Sequence, residues 1–229
     1  MTQDRHPLIT TSTDGRSPAR WPQAVVFDCD GVLVDTVSCW EAAYRQTLRR
    51  QGRRLTNGRL AVLNGSSVRA ASEELGVPTE ELAAALRLAF ESSSIQVLPG
   101  VPSLLEQLVG RARLAVATNG PRELATRALT AVGIAGYFEV IVSAETTRDK
   151  PAPDVYLAAC RALGVPPQEC VADEDSAVGA AAARDAGLTV VYVPALPGTP
   201  ADADLRIPRL DHPDLRRLLS IPAQASSLS

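Results

Sequence analysis

Polar and apolar positions fall into three successive patterns along the chain. Residues 1–21 are polar, carry Pro7 and Pro18, and show no periodicity, which predicts a disordered leader. Ala24, Val25, Val26 and Phe27 then run without interruption into Asp28-Cys29-Asp30-Gly31, and such a run reads as a strand at about 23–28, buried on both faces. From Thr36 to Pro99 the period becomes helical. Trp40, Ala43, Tyr44, Thr47 and Leu48 share one face, shorter helical pieces follow at 57–63 and 66–75, and Thr79 reads as the N-cap of a helix carrying Leu82, Leu86 and Phe90.

After Pro99-Gly100 strands and helices alternate. Strands are expected at 114–117, 140–142, 170–172 and 189–193, with helices at 102–110, 121–132, 153–163, 177–186 and 211–219. This alternation implies an α/β fold, a doubly wound parallel sheet of Rossmann-like type with a helical insertion. The expected division is a core of 22–35 and 99–220, a helical cap of 36–98, and a tail of 221–229.

Composition removes several function classes. A net charge of −3 gives no global field towards nucleic acid or membrane, and no apolar run is long enough to span a bilayer. Cys29, Cys39, Cys160 and Cys170 form no C-x-x-C pair, so with no signal-peptide pattern they read as reduced thiols in a cytoplasmic protein. Histidine occurs only at His6 and His212, outside the body of the chain, which argues against Ser-His or Cys-His catalysis and a histidine-rich zinc site. There is no G-x-S-x-G, G-x-G-x-x-G or Walker loop. Chemistry must come from carboxylates, lysine, hydroxyls and a metal.

Four polar clusters sit where strands should leave the sheet, the usual position of sites in such folds. Asp28 and Asp30 repel each other and favour a divalent cation, a shared proton, or both, although Asp-x-Asp-Gly alone fits an acidic turn equally well. Thr118-Asn119-Gly120-Pro121 offers a hydroxyl, an amide and backbone N–H groups suited to phosphate, with Pro121 fitting the first helical position; alone it also reads as an ordinary N-cap turn. Lys150, between Asp149 and Pro151, reads as a loop lysine or as a point charge for a phosphoryl group. Asp173-Glu174-Asp175-Ser176 puts three acids at the end of a buried strand, a costly arrangement without a cation or helix N-termini. Together the clusters fit metal-assisted phosphoryl transfer.

On these residues the chain resembles the haloacid dehalogenase superfamily, on the helical-cap branch of small-molecule phosphatases and β-phosphoglucomutase. The motifs are Asp28-Cys29-Asp30-Gly31-Val32, Thr118-Asn119-Gly120, Lys150-Pro151-Ala152-Pro153-Asp154 and Glu174-Asp175-Ser176-Ala177-Val178-Gly179, and the resemblance covers nearly all of 23–195. It implies that Asp28 is a nucleophile forming a phospho-aspartyl intermediate, and that Asp30 is the general acid and base. It further implies Mg²⁺ held by Asp28, the backbone carbonyl of Asp30 and Asp175, with Glu174 nearby. Thr118, Asn119, Gly120 and Lys150 would hold the phosphoryl oxygens. A carboxylate nucleophile needs no histidine.

Within the superfamily, Asp30 argues against a dehalogenase. Mutases carry a His at the position of Trp40, and a Lys and an Arg at those of Asn64 and Val68, all missing here. Asp173 is a further departure, since an apolar or aromatic residue is usual there. The expected reaction is Mg²⁺-dependent hydrolysis of a small phosphorylated metabolite, sugar phosphates among the candidates, by a monomer or homodimer without nucleic-acid or membrane partners. The alternatives are a sugar-phosphate mutase and a non-catalytic phosphate-binding protein. Trp40, Tyr44, Asn64, Ser66 and Arg69 are the expected cap contributors to specificity. The arginines at 45, 49, 50, 53 and 54 read as a solvated helix face.

Overall fold

A computed structural model of the protein describes residues 22–194 and 201–221; the expected leader and residues 222–229 of the tail lie outside them. Six parallel strands form one sheet: β1 (Ala24–Phe27), β2 (Arg113–Thr118), β3 (Val140–Ser143), β4 (Cys170–Glu174), β5 (Thr189–Tyr192) and β6 (Leu205–Arg206), in the order β3-β2-β1-β4-β5-β6. Every side chain of β1 is buried. Val25 and Phe27 join one apolar cluster and Ala24 and Val26 the other, which is why this strand shows no polar alternation.

Four helices, α1 (Val37–Arg50), α2 (Asn57–Leu63), α3 (Val68–Leu75) and α4 (Thr79–Ser92), lie between β1 and the next core helix, α5 (Val101–Leu108). Cys39, Ala43, Tyr44, Thr47 and Leu48 of α1 and Leu82, Leu86 and Phe90 of α4 are buried at helical spacing, and these two helices pack on each other. The segments entering and leaving this insertion run side by side: Asp35 donates to the Gln96 carbonyl (2.9 Å) and Leu98 to that of Leu33 (3.0 Å). The remaining helices are α6 (Arg122–Ala131), α7 (Asp154–Leu163), α8 (Ala177–Asp185) and α9 (Pro213–Leu218). Buried residues of α5, α6 and α9 cover one face of the sheet, and those of α7 and α8 the other.

Several boundaries differ from the sequence reading. Pro78, in extended conformation, takes the N-cap position, so Thr79 is the first helical residue and caps nothing. Pro121, in extended conformation, is likewise the N-cap of α6 rather than its first residue, and the first free N–H, that of Arg122, is satisfied from outside the helix by the Glu145 carboxylate at 2.9 Å. β4 extends through Asp173 and Glu174, and the two-residue β6 is too short for any pattern to announce. Ser176 does cap α8, accepting from the Gly179 N–H at 3.0 Å. Arg45, Arg49 and Arg50 form an exposed face of α1, with Arg45 paired to Glu41 and Arg50 to Glu81, whereas Arg53 and Arg54 lie beyond the end of the helix. His212 caps α9 through Nδ1.

Asp173 is fully buried, and neither carboxylate oxygen has a hydrogen-bond partner. Burial, with the charge of Glu174 adding to it, pushes its pKa from 3.8 up to about 8. The acid is therefore protonated when folded and ionised when unfolded, so its contribution to stability is complete below pH 3.8 and is lost as pH rises towards about 8. Replacing it by an apolar residue of similar size removes this penalty. Asp173→Val should stabilise the protein by about 1–3 kcal/mol at pH 7.5, with a gap that narrows towards pH 5, as thermal unfolding at the two pH values will report.

Candidate active site

Parallel register brings three strand ends to one place: Phe27 lies opposite Val116 on one side and Asp173 on the other. Asp28 leaves β1 here, its N–H donating to the Asp173 carbonyl at 2.9 Å. The chain then folds tightly, with Leu33 and Val34 both donating to the Cys29 carbonyl, and Gly31 takes a φ of 82° that few other residues accept. This loop turns Asp30 towards Thr36, whose hydroxyl donates to the Asp30 carboxylate and makes no cap hydrogen bond to α1. The Thr118 hydroxyl lies 3.5 Å from the other Asp30 oxygen.

Lys150 reaches into this end of the sheet from a loop held by a cis Lys150–Pro151 bond. Its Nζ donates to Asp28 Oδ1 and Glu174 Oε1, each at 2.6 Å, and to the Ala117 carbonyl at 2.9 Å, above the ring of Tyr156. Burial alone would lower the pKa of this ammonium, but the charges of Asp28 and Glu174 outweigh it and raise the pKa instead. Asn119 fixes the loop from both sides of its amide. Its Oδ1 accepts from the Lys150 N–H at 2.8 Å, and its Nδ2 donates to the Lys150 carbonyl and, at 2.7 Å, to the Gly65 carbonyl of the helical insertion.

The third strand end supplies Glu174 and Asp175. Glu174 is fully buried and accepts from Lys150, the Tyr156 hydroxyl, the Ser176 hydroxyl and the Asp175 N–H. It packs so closely on the first turn of α8 that a Cβ on Gly179 would come within 2.0 Å of its Oε1. Oxygens of Asp28, Glu174 and Asp175 lie within 4.8 Å of one another. Burial, then the neighbouring charges of Asp28 and Glu174, push Asp175 well above the carboxylate range, and burial, opposed by Lys150, raises Asp28 to about 7. Three buried acids facing one ammonium leave negative charge uncompensated, so the donor set fits a hard divalent cation. Asp30 also lies raised, chiefly through burial.

Asp28, Asp30, Thr118, Asn119, Gly120, Lys150 and Asp175 thus line one small cavity, and Trp40, Tyr44, Asn64 and Ser66 form its opposite wall. Arg69 does not: it faces outwards, bridging Asp149 at 2.7 Å and Glu73 at 2.8 Å. The whole Asn64–Arg69 stretch was expected to face the substrate, but Arg69, on the first turn of α3, lines a neighbouring pocket instead. Glu174 sits beneath the cavity, held by Lys150. Sequence reasoning did not single out Thr36, Tyr156, Leu60 or Gly65. Gly65 is required as glycine by its φ of 77° and its approach to Ser176, where a Cβ would lie 2.5 Å from Oγ, and neither is visible in the sequence. Gly179→Ala should displace Glu174, lower stability by about 2–4 kcal/mol and weaken divalent-cation binding, to be followed by thermal unfolding and calorimetric Mg²⁺ titration.

Comparison with known proteins agrees with this geometry. Protein CbbY of Rhodobacter capsulatus is 34% identical over 224 residues, covering 87% of this chain and 99% of the relative. Hexitol phosphatase A of Escherichia coli is 34% identical over 199 residues, covering 83% and 88%. A crystal structure of CbbY from Rhodobacter sphaeroides in complex with xylulose-(1,5)-bisphosphate superposes with a TM-score of 0.71 at 26% identity, covering 82% of this chain and 95% of that one. The model of the haloacid dehalogenase-like hydrolases matches residues 22–187, and the chain belongs to that family of hydrolases.

Proposed function

We propose that the protein is a Mg²⁺-dependent phosphatase of small phosphorylated sugars or sugar alcohols, with Asp28 as its nucleophile. The observation that carries this reading is the buried Lys150 ammonium, 2.6 Å from both Asp28 and Glu174 beside Asp30 and Asp175. A binding protein has no use for mutually repelling buried acids, whereas phosphoryl transfer needs them next to cations.

In this reading Asp28 Oδ attacks phosphorus as the bond to the alcohol oxygen breaks, giving an aspartyl phosphate. Asp30 gives its proton to the departing oxygen. Its raised pKa suits a carboxyl that must arrive protonated, and the Thr36 hydroxyl fixes its orientation. Water then attacks the aspartyl phosphate, its proton passing to Asp30, which frees Asp28 and phosphate. Thr118, Asn119, the Gly120 backbone and Lys150 position the phosphoryl oxygens. Asp28, Asp175 and the Asp30 carbonyl would hold Mg²⁺, with Glu174 behind them, and the ion would supply the positive charge that lets two anions meet.

Residues 36–98 act as a cap over a catalytic core of 22–35 and 99–220, and they close the cavity against water. Four buried free cysteines suit a reducing, cytoplasmic compartment, and among the described residues no helix is long and apolar enough to cross a membrane.

Phosphate release from a panel of sugar and polyol phosphates tests the reading. Turnover should require Mg²⁺ and stop on chelation, and Asp28→Asn should lower kcat by at least about a thousandfold while the protein stays folded. Equal rates for Asp28→Asn and wild type would reject Asp28 as nucleophile.

A further inference from the structure

The wall facing the nucleophile says what the departing alcohol must look like. Trp40, Tyr44, Leu60, Leu63, Asn64 and Ser66 make up most of it, without a cationic side chain. Among the described residues lining the cavity, Lys150 is the sole cation, and it is committed to Asp28 and Glu174. Arg69, Arg87 and Arg148 line a separate pocket that shares only Asn119 with this cavity. Asn119 is bonded to the Gly65 carbonyl, and Asp149 accepts from the Ser67 hydroxyl and pairs with Arg69, so that guanidinium is both outside the cavity and already neutralised.

We propose that the substrate carries a single phosphate, on a small uncharged leaving group with at least one acceptor oxygen, and that sugar bisphosphates are excluded. This rests on the phosphatase reading above. A second phosphate in this cavity would meet leucine and aromatic surface with no counter-charge and would lose hydration unreplaced. A hydroxylated, neutral group has a partner. The Trp40 indole N–H, on a residue only 8% exposed, faces the Asp30 carboxylate without closing a full hydrogen bond to it, beside the place where the departing oxygen must lie. The rings of Trp40 and Tyr44, 6.0 Å apart between centroids, provide an apolar bed for a sugar's carbon face. The contrast is with the CbbY structure that holds a bisphosphate, whose fold this chain shares.

The test compares the full-length protein with Mg²⁺ on monophosphates and bisphosphates of the same sugars, measuring initial phosphate release. At least one monophosphate should exceed its matching bisphosphate in kcat/KM by about a hundredfold or more. Leu60→Lys, or Ser66→Lys where the first fails to fold, should narrow that ratio at least about tenfold by supplying the missing cation. Trp40→Phe, which keeps the ring and removes the N–H, should raise KM more than it lowers kcat. Bisphosphates processed within about threefold of monophosphates would overturn the inference and leave the phosphatase reading standing. Release from none of the compounds, by a folded, Mg²⁺-binding protein, would overturn both.

Discussion

The structure depends on one ammonium group. Asp28, Glu174 and Asp175 end neighbouring parallel strands, and the register of the sheet leaves them no room to separate. Buried carboxylates this close are tolerable only if positive charge is placed among them, and Lys150 is the only side-chain cation of the described chain that does so. Much of the surrounding architecture serves to keep that group in place. Asn119 grips its backbone from both sides, Tyr156 lies under it, and Gly179 yields the space into which Glu174 retreats to meet it.

The same clamp ties chemistry to closure. The Asn119 amide that holds the Lys150 loop also holds Gly65, and the residue next to Lys150, Asp149, is bound by Ser67 and Arg69 of the insertion. Positioning of the buried lysine and seating of the helices over it are therefore parts of one network. Arg69, expected at the substrate, belongs to that network instead.

The sheet and the catalytic corner were legible because burial leaves unambiguous marks. A strand covered on both faces has to be apolar throughout, as 24–27 is, and polar residues that break such runs at strand ends have few reasons to be there other than a ligand. Caps were less legible, since their partners come from elsewhere. Glu145 reaches across to satisfy α6, and no pattern around Pro121 could announce it. Arg69 was misplaced for a similar reason: adjacency in sequence does not say which way a helix start will turn a side chain. Asp173 stood out as unusual, but only its burial without partners shows that it burdens the fold.

The paired segments at the mouth of the insertion have a consequence for how such proteins diversify. Because the chain leaves the core at Asp35 and returns beside it at Gln96, the sheet asks of the intervening sixty or so residues only that their two ends meet. β1 and β2 keep their register whatever is threaded between them. The helices of the insertion can be lengthened or repacked without disturbing the strand ends, provided the contacts of Gly65, Ser67 and Arg69 with Asn119 and the Lys150 loop are kept. The strand-end carboxylates and the wall that faces them are thereby inherited on separate stretches of one gene.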